Sequence, residues 1–418
     1  MNGATDTPAE DDRAVPPRAH HRRSGLADNL VLIVGGIVFG LLLLLPEPGT
    51  PMVYVTVLEG AASTLKGYFA ATDINQDIIG ARGLLLNQDP YPTASPADPA
   101  LGYEEFAVGH ASTHPPTTFL FALPIARLPQ RWATTIWAWA MLVLLVLTFR
   151  CYGASWKMAL GLTPIALLWT PLQISLGQIT IVWLFGVALA YRWQAAHPVL
   201  SGASIGLASL TKFLPGLMLA VFFVKKQWKA VAGFAALWLA ALGGLLILFP
   251  GAIGRYLEVN QTTSLETANR LDNAALLFGS YRLGGWLGAG LAVAFLLAIV
   301  VTNRDAVLRP QPASTPRLWR VLIYLSVALL PIAWIYSIVP LLPVVGYQIL
   351  QKKLLVKLAG LCCLVLPCLA PPWGDLAVLP VLVVTIAVGA GLIFDALPFR
   401  VFTATSLADL ARPAASRV

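Results

Sequence analysis

The sequence predicts an all-α polytopic membrane protein, and three observations carry that prediction. Hydrophobic residues make up 57% of the chain and charged residues only 11%, against about 25% charge in an ordinary soluble domain. Apolar runs recur from Asn29 into the C-terminal region, separated by connectors, the pattern of segments that cross a bilayer one after another. Lysine and arginine concentrate in alternate connectors, as the inner membrane face demands. The net charge of +8 is therefore a topology signal, and nucleic acid is not an expected partner. Cys151, Cys362, Cys363 and Cys368 lie in or beside apolar runs and read as small core residues rather than metal ligands or a disulfide framework.

Residues 1–27 are polar and aperiodic, with a basic cluster from Arg18 to Arg23. They read as a disordered cytoplasmic tail with some attraction to anionic lipid. Asn29 to Leu45 is the first membrane-length segment. PEPGTP follows it rather than a small-residue cleavage site, so it reads as an uncleaved helix. Residues 47–115 then form a large external loop. Within it, Met52–Ala71 and Ile74–Leu86 carry apolar residues at spacings of three and four, which predicts two amphipathic helices in the membrane interface.

Beyond the loop, basic connectors at 150–157, 191–197, 225–229, 303–320 and 351–353 alternate with poorly basic ones at 170–178, 211–215, 250–285, around 335–337 and at 370–375. The alternation gives about twelve spans, with a range of eleven to thirteen, inside a transmembrane domain of residues 28–400. A cytoplasmic tail, 401–418, closes the chain. Both termini fall in the cytoplasm of a bacterial-type inner membrane. Thr117–Pro129 is apolar but short for a core about 30 Å thick, so it reads as a re-entrant or tilted helix.

Almost every polar residue of interest falls in or near a non-cytoplasmic connector: Asp73, Asp77, His110, His114, Gln173, Gln178, Lys212, Asn260, Asn273, Tyr281, Arg282 and Tyr336. A membrane protein that gathers its few hydrogen-bonding groups on one side has a site there. Each residue also has a structural reading. Asp73 lies near a helix N-terminus, where a carboxylate serves as a cap. His110 and His114, one turn apart if helical, are equally two solvated loop histidines. Lys212, the one cation between Pro198 and Val224, is equally a snorkelling lysine, and Gln178 a link between helices.

Several stretches together resemble glycosyltransferase family 87, of the GT-C class. An aspartate stands in the first external loop, in Asp73-Ile74-Asn75-Gln76-Asp77, and a small-residue helix closes on NQDPY at Asn87–Tyr91. His114-Pro115-Pro116, LQISLGQITIVWLF at 172–185, GASIGLASLTKFLPGLML at 202–219, DNAALLFGSYRL at 272–283 and LLPIAWIYSIVPLLP at 329–343 follow in order. The resemblance thus covers residues 67–345. It implies a membrane enzyme that moves a hexose, mannose above all, from a polyprenyl-phosphate donor to a glycan or glycolipid acceptor on the non-cytoplasmic face. The lipid-linked sugar is then a substrate, and neither metal nor further cofactor is expected.

The resemblance assigns Asp73 as the base that takes the acceptor's proton. Asp77 stands where the family has an aromatic residue, and a second carboxylate there would hold sugar hydroxyls or repel the charge of Asp73. The departing phosphate calls for cations and oriented donors. Lys212 fits that need, because Pro215 breaks the helix three residues on, and Arg282 is a second contact. Gln178 and Asn273 would bind sugar hydroxyls. Where the family pattern supplies a histidine, this chain has Tyr336, a phenol that donates a hydrogen bond but is no base near neutral pH. Either Asp73 acts without an imidazole, or His114 supplies one.

Two rivals predict different residues. A transporter or lipid flippase would place ionisable groups at helix centres, whereas the polar residues here lie at helix ends. A polymerase or ligase using lipid diphosphates calls for several external arginines, and Arg255, Arg270 and Arg282 are all that the later loop offers.

Overall fold

A computed structural model of the chain describes residues 25–44, 53–66, 72–92, 94–95, 106–107, 112, 114–169, 171–268, 273, 275–308, 315–330, 335–351, 353–369 and 378–396. Both predicted tails (apart from residues 25–27), His110, Arg270 and the stretches at 331–334 and 370–375 lie outside these residues.

The described chain is helical. In order run α1 (Gly25–Leu44), α2 (Val53–Lys66), α3 (Thr72–Leu86), α4 (Pro116–Ala122), α5 (Gln130–Cys151), α6 (Trp156–Trp169), α7 (Pro171–Ser175), α8 (Thr180–Trp193), α9 (Pro198–Thr211) and α10 (Leu219–Val224). They continue as α11 (Trp228–Leu248), α12 (Ala252–Ala268), α13 (Leu276–Thr302), α14 (Arg304–Leu308), α15 (Thr315–Ala328), α16 (Leu342–Ile349), α17 (Leu354–Leu369) and α18 (Val378–Ala396). The one departure from all-α structure among the described residues is a two-residue antiparallel ladder in the first loop, pairing Ala94 with Ala107 and Ser95 with Phe106.

Five of the described helices are long and apolar enough to cross a bilayer, at Gly25–Leu44, Gln130–Cys151, Trp228–Leu248, Gly279–Thr302 and Leu379–Ala396. They turn large apolar side chains outward: Leu30, Ile33, Ile37 and Leu41 on α1, Leu239, Leu246 and Ile247 on α11, Leu287 and Leu291 on α13. Such a continuous greasy exterior is unfavourable in water and natural in lipid. The chain is a multi-pass helical membrane protein.

Most of the other apolar helices are shorter. Those of fourteen residues, such as α8 and α9, reach about 21 Å at 1.5 Å per residue. Residues 198–224 do not form one rod: α9 ends at Thr211, a 3-10 turn occupies Leu214–Met218, and α10 resumes the path. Pro215 removes a backbone donor and forbids a regular helix through this point. Thr117–Pro129 is likewise broken, with α4 followed by a 3-10 turn at Leu123–Ile125, in keeping with a segment too short to span alone.

Two apolar clusters form the interior. One joins α2, α3, α4, α5 and the start of α8; the other joins the rest of α8 to α9, α10, α13, α15, α16 and α18. Helix α8 is the wall they share, giving Ile181, Val182 and Leu184 to the first and Trp183, Val187 and Ala190 to the second. Close crossings use small residues, as expected where lipid supplies no hydrophobic drive between helices. At the crossing of α9 and α11, a Cβ on Gly202 would stand 1.7 Å from the carbonyl oxygen of Ala230, so no other residue fits.

Candidate functional site

The site grows from the start of α3. Asp73 lies in the first turn of that helix, where unsatisfied N–H groups and the helix dipole favour an anion. The backbone N–H groups of Asp73 and Ile74 both donate to the carbonyl oxygen of Leu176, at 3.0 and 3.2 Å. This pins α3 to the turn that follows α7. Gly177 reverses the chain there with φ of +70°, a conformation costly for any residue with a Cβ. Its carbonyl oxygen accepts the indole N–H of Trp137 on α5 at 2.8 Å, and the N–H of Gln178 donates to Gln173 at 2.9 Å. So constrained, Gln178 donates its side-chain amide to Asp73 Oδ2. The Gln178 side chain is buried, and its Oε1 has no hydrogen-bond partner among the described residues. An acceptor left bare in the interior invites a ligand hydroxyl.

One helical turn on, Asp77 is only 1% exposed. Its Oδ1 lies 2.8 Å from Nδ1 of His114, 37 positions away in sequence. His114 is itself held by its main chain: the buried hydroxyl of Tyr91 donates to its carbonyl oxygen at 2.9 Å. Burial raises the Tyr91 hydroxyl far above its ordinary range, with Tyr256, Asp77 and Asp89 acting in the same direction, so it stays a donor. Tyr91 is set by an Asx turn, its N–H donating to Asp89 Oδ1 at 2.9 Å, and by ring contact with Phe119.

The other side of the site comes from the broken helix. Thr117 Oγ1 donates to the carbonyl oxygen of Leu210 at 2.6 Å, and Thr118 Oγ1 to that of Thr211 at 3.2 Å. These bonds satisfy carbonyls at the C-terminus of α9 and fix α4 against it. Lys212 caps α9 in extended conformation, φ −151° and ψ 135°, in the connector outside the helix. Burial pulls its ammonium down to about 8, while Asp73 and Asp77 act in the opposite direction. Lys212 therefore lies within the field of both carboxylates.

Asp73, Asp77, His114, Gln178 and Lys212 thus come together from α3, the loop before α4, the turn before α8 and the end of α9. Asn273 and Arg282 meet each other at the start of α13: Asn273 Oδ1 accepts the N–H of Ala275 at 3.1 Å, and Arg282 donates to the Asn273 carbonyl oxygen at 3.3 Å. Tyr336 falls in a 3-10 segment, Ile335–Leu341, and its side chain lies outside the described residues. Sequence reasoning missed Tyr91, Thr117 and Trp137. A buried tyrosine after Asp-Pro carries a signal, the Asx turn; the two others show theirs only in three dimensions.

Carboxylates, an imidazole and an ammonium collected at interrupted helix ends of an apolar bundle give a membrane protein a candidate chemical site at the edge of its apolar core. The glycosyltransferase family 87 model matches residues 113–339, and the chain belongs to that family. It is 27% identical over 288 residues, 62% of this chain and 67% of the relative, to a polyprenol-phosphate-mannose-dependent alpha-(1-2)-phosphatidylinositol pentamannoside mannosyltransferase of Mycolicibacterium smegmatis (strain ATCC 700084 / mc(2)155). No solved structure matches. The family match takes in His114, Gln178, Lys212, Asn273, Arg282 and Tyr336 and begins after Asp73 and Asp77. The protein is accordingly a membrane glycosyltransferase, which removes the transporter and flippase rivals.

Proposed function

We propose that this glycosyltransferase moves a hexose, mannose in the first instance, from a polyprenyl-phosphate donor to a glycan or glycolipid acceptor at the non-cytoplasmic face. The observation that carries the reading is the gathering at one place of Asp73, held by Gln178, and of Lys212, which stands at the break after α9 in the field of that carboxylate. The name of the mycobacterial relative supports the donor class and the sugar. A donor with a polyprenyl tail reaches such a site laterally through the bilayer.

In this reading Asp73 takes the proton of the acceptor hydroxyl as its oxygen attacks the anomeric carbon. The bond from that carbon to the phosphate oxygen breaks, and the electron pair leaves with the lipid phosphate. Lys212 compensates the charge gathering there. Gln178 Oε1 accepts from a sugar hydroxyl; Arg282, Asn273 and Tyr336 serve the substrate from the later helices. About twelve crossings, formed partly by short helices meeting end to end, with both termini in the cytoplasm of an inner membrane, complete the proposal.

The test incubates membranes carrying the protein with radiolabelled polyprenyl-phosphate mannose and, separately, other lipid-linked hexoses, and follows label into glycolipid and polysaccharide. Mannose transfer is expected, and Asp73→Asn should abolish it, by about 10²- to 10⁴-fold, at normal expression. Transfer by Asp73→Asn at the wild-type rate would remove the base assignment. Transfer of another hexose but not mannose would correct the donor.

A further inference from the structure

We propose that the pocket between the end of α3 and the start of α12 is a distal subsite for the acceptor, holding a sugar ring of an oligosaccharide beyond the unit that reacts. The inference rests on the reading of the protein as a transferase with a glycan or glycolipid acceptor.

The pocket grows from the way α3 ends. Asn87 stands in the left-handed conformation, with φ of +54°. Its N–H donates to the carbonyl oxygen of Leu84 at 3.3 Å, and the N–H of Gln88 donates to that of Gly83 at 2.8 Å, the paired bonds of a helix stop. The chain then folds back so closely that a Cβ on Gly83 would stand 2.8 Å from both the carbonyl oxygen of Asp89 and the Cα of Pro90. Asp89 accepts the N–H of Tyr91 on Oδ1 and two bonds from Arg255 of α12 on Oδ2, from Nε at 3.1 Å and Nη2 at 2.9 Å. Nη1 of Arg255 lies 2.9 Å from Glu258. Ion pairs this exposed add little stability. Their effect is to join α12 to the loop, beside a cavity of about 250 Å³ that Asp89 and Arg255 both line.

The lining selects the ligand. Asp89 and Glu258 outnumber Arg255, so the charge disfavours an anion. Leu84, Phe249 and Ala252 supply apolar surface. Asn87 and Gln88 are exposed, and their side-chain amides make no hydrogen bond among the described residues. An amide both donates and accepts, as a hydroxyl does. A pyranose brings a face of C–H groups to an aromatic ring and a rim of hydroxyls to the amides; a lipid chain brings no rim. The volume lies below that of drug-sized sites, which suits a single ring.

Position makes the pocket part of an acceptor path. Gly83 comes ten positions after Asp73 on α3, about 15 Å along the helix, so a sugar held here is not the one that reacts. Tyr91 links the two places, its N–H on Asp89 and its hydroxyl on the His114 carbonyl oxygen. At the lipid side, Leu246, Ile247 and Leu248 are exposed at the end of α11, and Phe249 follows them into the pocket lining. A headgroup rising from the bilayer meets the pocket where the greasy surface stops. Binding gathered there, away from the reacting bond, helps to orient the acceptor hydroxyl.

The experiment titrates octyl α-mannoside, octyl α-mannotrioside, octyl glucoside, octyl maltotrioside and the two free trisaccharides into the full chain in nanodiscs. Wild type should bind one octyl trioside at least about 10-fold more tightly than its monoside. The series that shows the advantage names the sugar. Tighter binding of the octyl trioside than of the free trisaccharide marks a glycolipid acceptor, and equal binding marks the end of a polysaccharide. The double variant Asn87→Gly with Gln88→Ala, in which glycine keeps the left-handed turn, should cut the advantage of the trioside about 10-fold, the loss of two neutral hydrogen bonds. Phe249→Ala should reduce it as well. A wild type that shows no advantage in either series overturns the proposal, as does an advantage that survives both variants or a loss equal for monoside and trioside. Transfer of labelled mannose tests the underlying reading separately. Transfer without any length dependence in binding removes only the subsite, whereas length-dependent binding without transfer removes the transferase reading of the pocket and leaves an oligosaccharide site.

Discussion

Asp73 and Gln178 illustrate how little freedom the proposed base has here. Two backbone hydrogen bonds to Leu176 fix the start of α3, and the Gln178 amide fixes the carboxylate. Gln178→Ala leaves Asp73 present but takes away the amide that orients Oδ2, so kcat should fall by about 10- to 100-fold, as orientation effects commonly do, with a smaller change in KM for the donor. Initial rates across donor concentration separate the two. Lys212 gives a pH signature. Its charge is lost as pH rises through about 8, so transfer should decline over that range, and Lys212→Arg should move the decline upward. Stability runs the other way. Between about 8 and 10.5 the unfolded chain binds the proton that the folded lysine has released, which makes the fold more stable with rising pH. A loss of activity there cannot be unfolding driven by this group, and melting curves at each pH check it. Asp73 and Lys212 were visible in the sequence because a charge is rare in a chain this apolar. The Asp77–His114 pair was visible only as two separate residues, since a contact across 37 positions leaves no local pattern.

At the scale of elements, the turn between α7 and α8 is the lever that sets the site. It joins α3 through Leu176, α5 through Trp137 and Asp73 through Gln178, and it depends on a left-handed Gly177. Gly177→Ala forces a Cβ into that conformation at a cost of about 1–2 kcal/mol. The relief is a shift of the turn, so transfer should fall at least tenfold while the thermal midpoint in detergent drops only modestly. Equal transfer by the variant would show that the turn carries no catalytic geometry. Hydropathy and proline placement made α1, the break at Pro215 and the interrupted segment after Pro116 legible in advance. They did not reveal the β ladder, whose strands of two residues are too short for any periodicity. Nor did they reveal how short α8 and α9 are, because composition records apolarity and not where a helix stops.

For the molecule as a whole, the issue is which leaflet the site serves. The described structure has an apolar exterior on α1, α11 and α13 and a polar cluster at helix ends, arrangements that fit either orientation of the bundle. The proposed orientation rests on charge. Lysine and arginine crowd the connectors at 150–157, 191–197 and 225–229, while the turns at 170–178 and 211–215, which carry Gln178 and Lys212, hold one cation in all. Retention of short basic connectors in the cytoplasm supports the proposed placing of the cluster outside, where the proposed lipid-linked donor and glycan acceptor would meet. A phosphatase reporter that folds only outside the cytoplasm, joined after Gly177, should be active, and one joined after Lys226 inactive. The reverse pattern would place the site in the cytoplasm, where nucleotide sugars are at hand, and the lipid phosphate would lose its physical rationale as donor. Both reporters active would mean that the segment between them crosses an even number of times rather than three, and the span count would change accordingly.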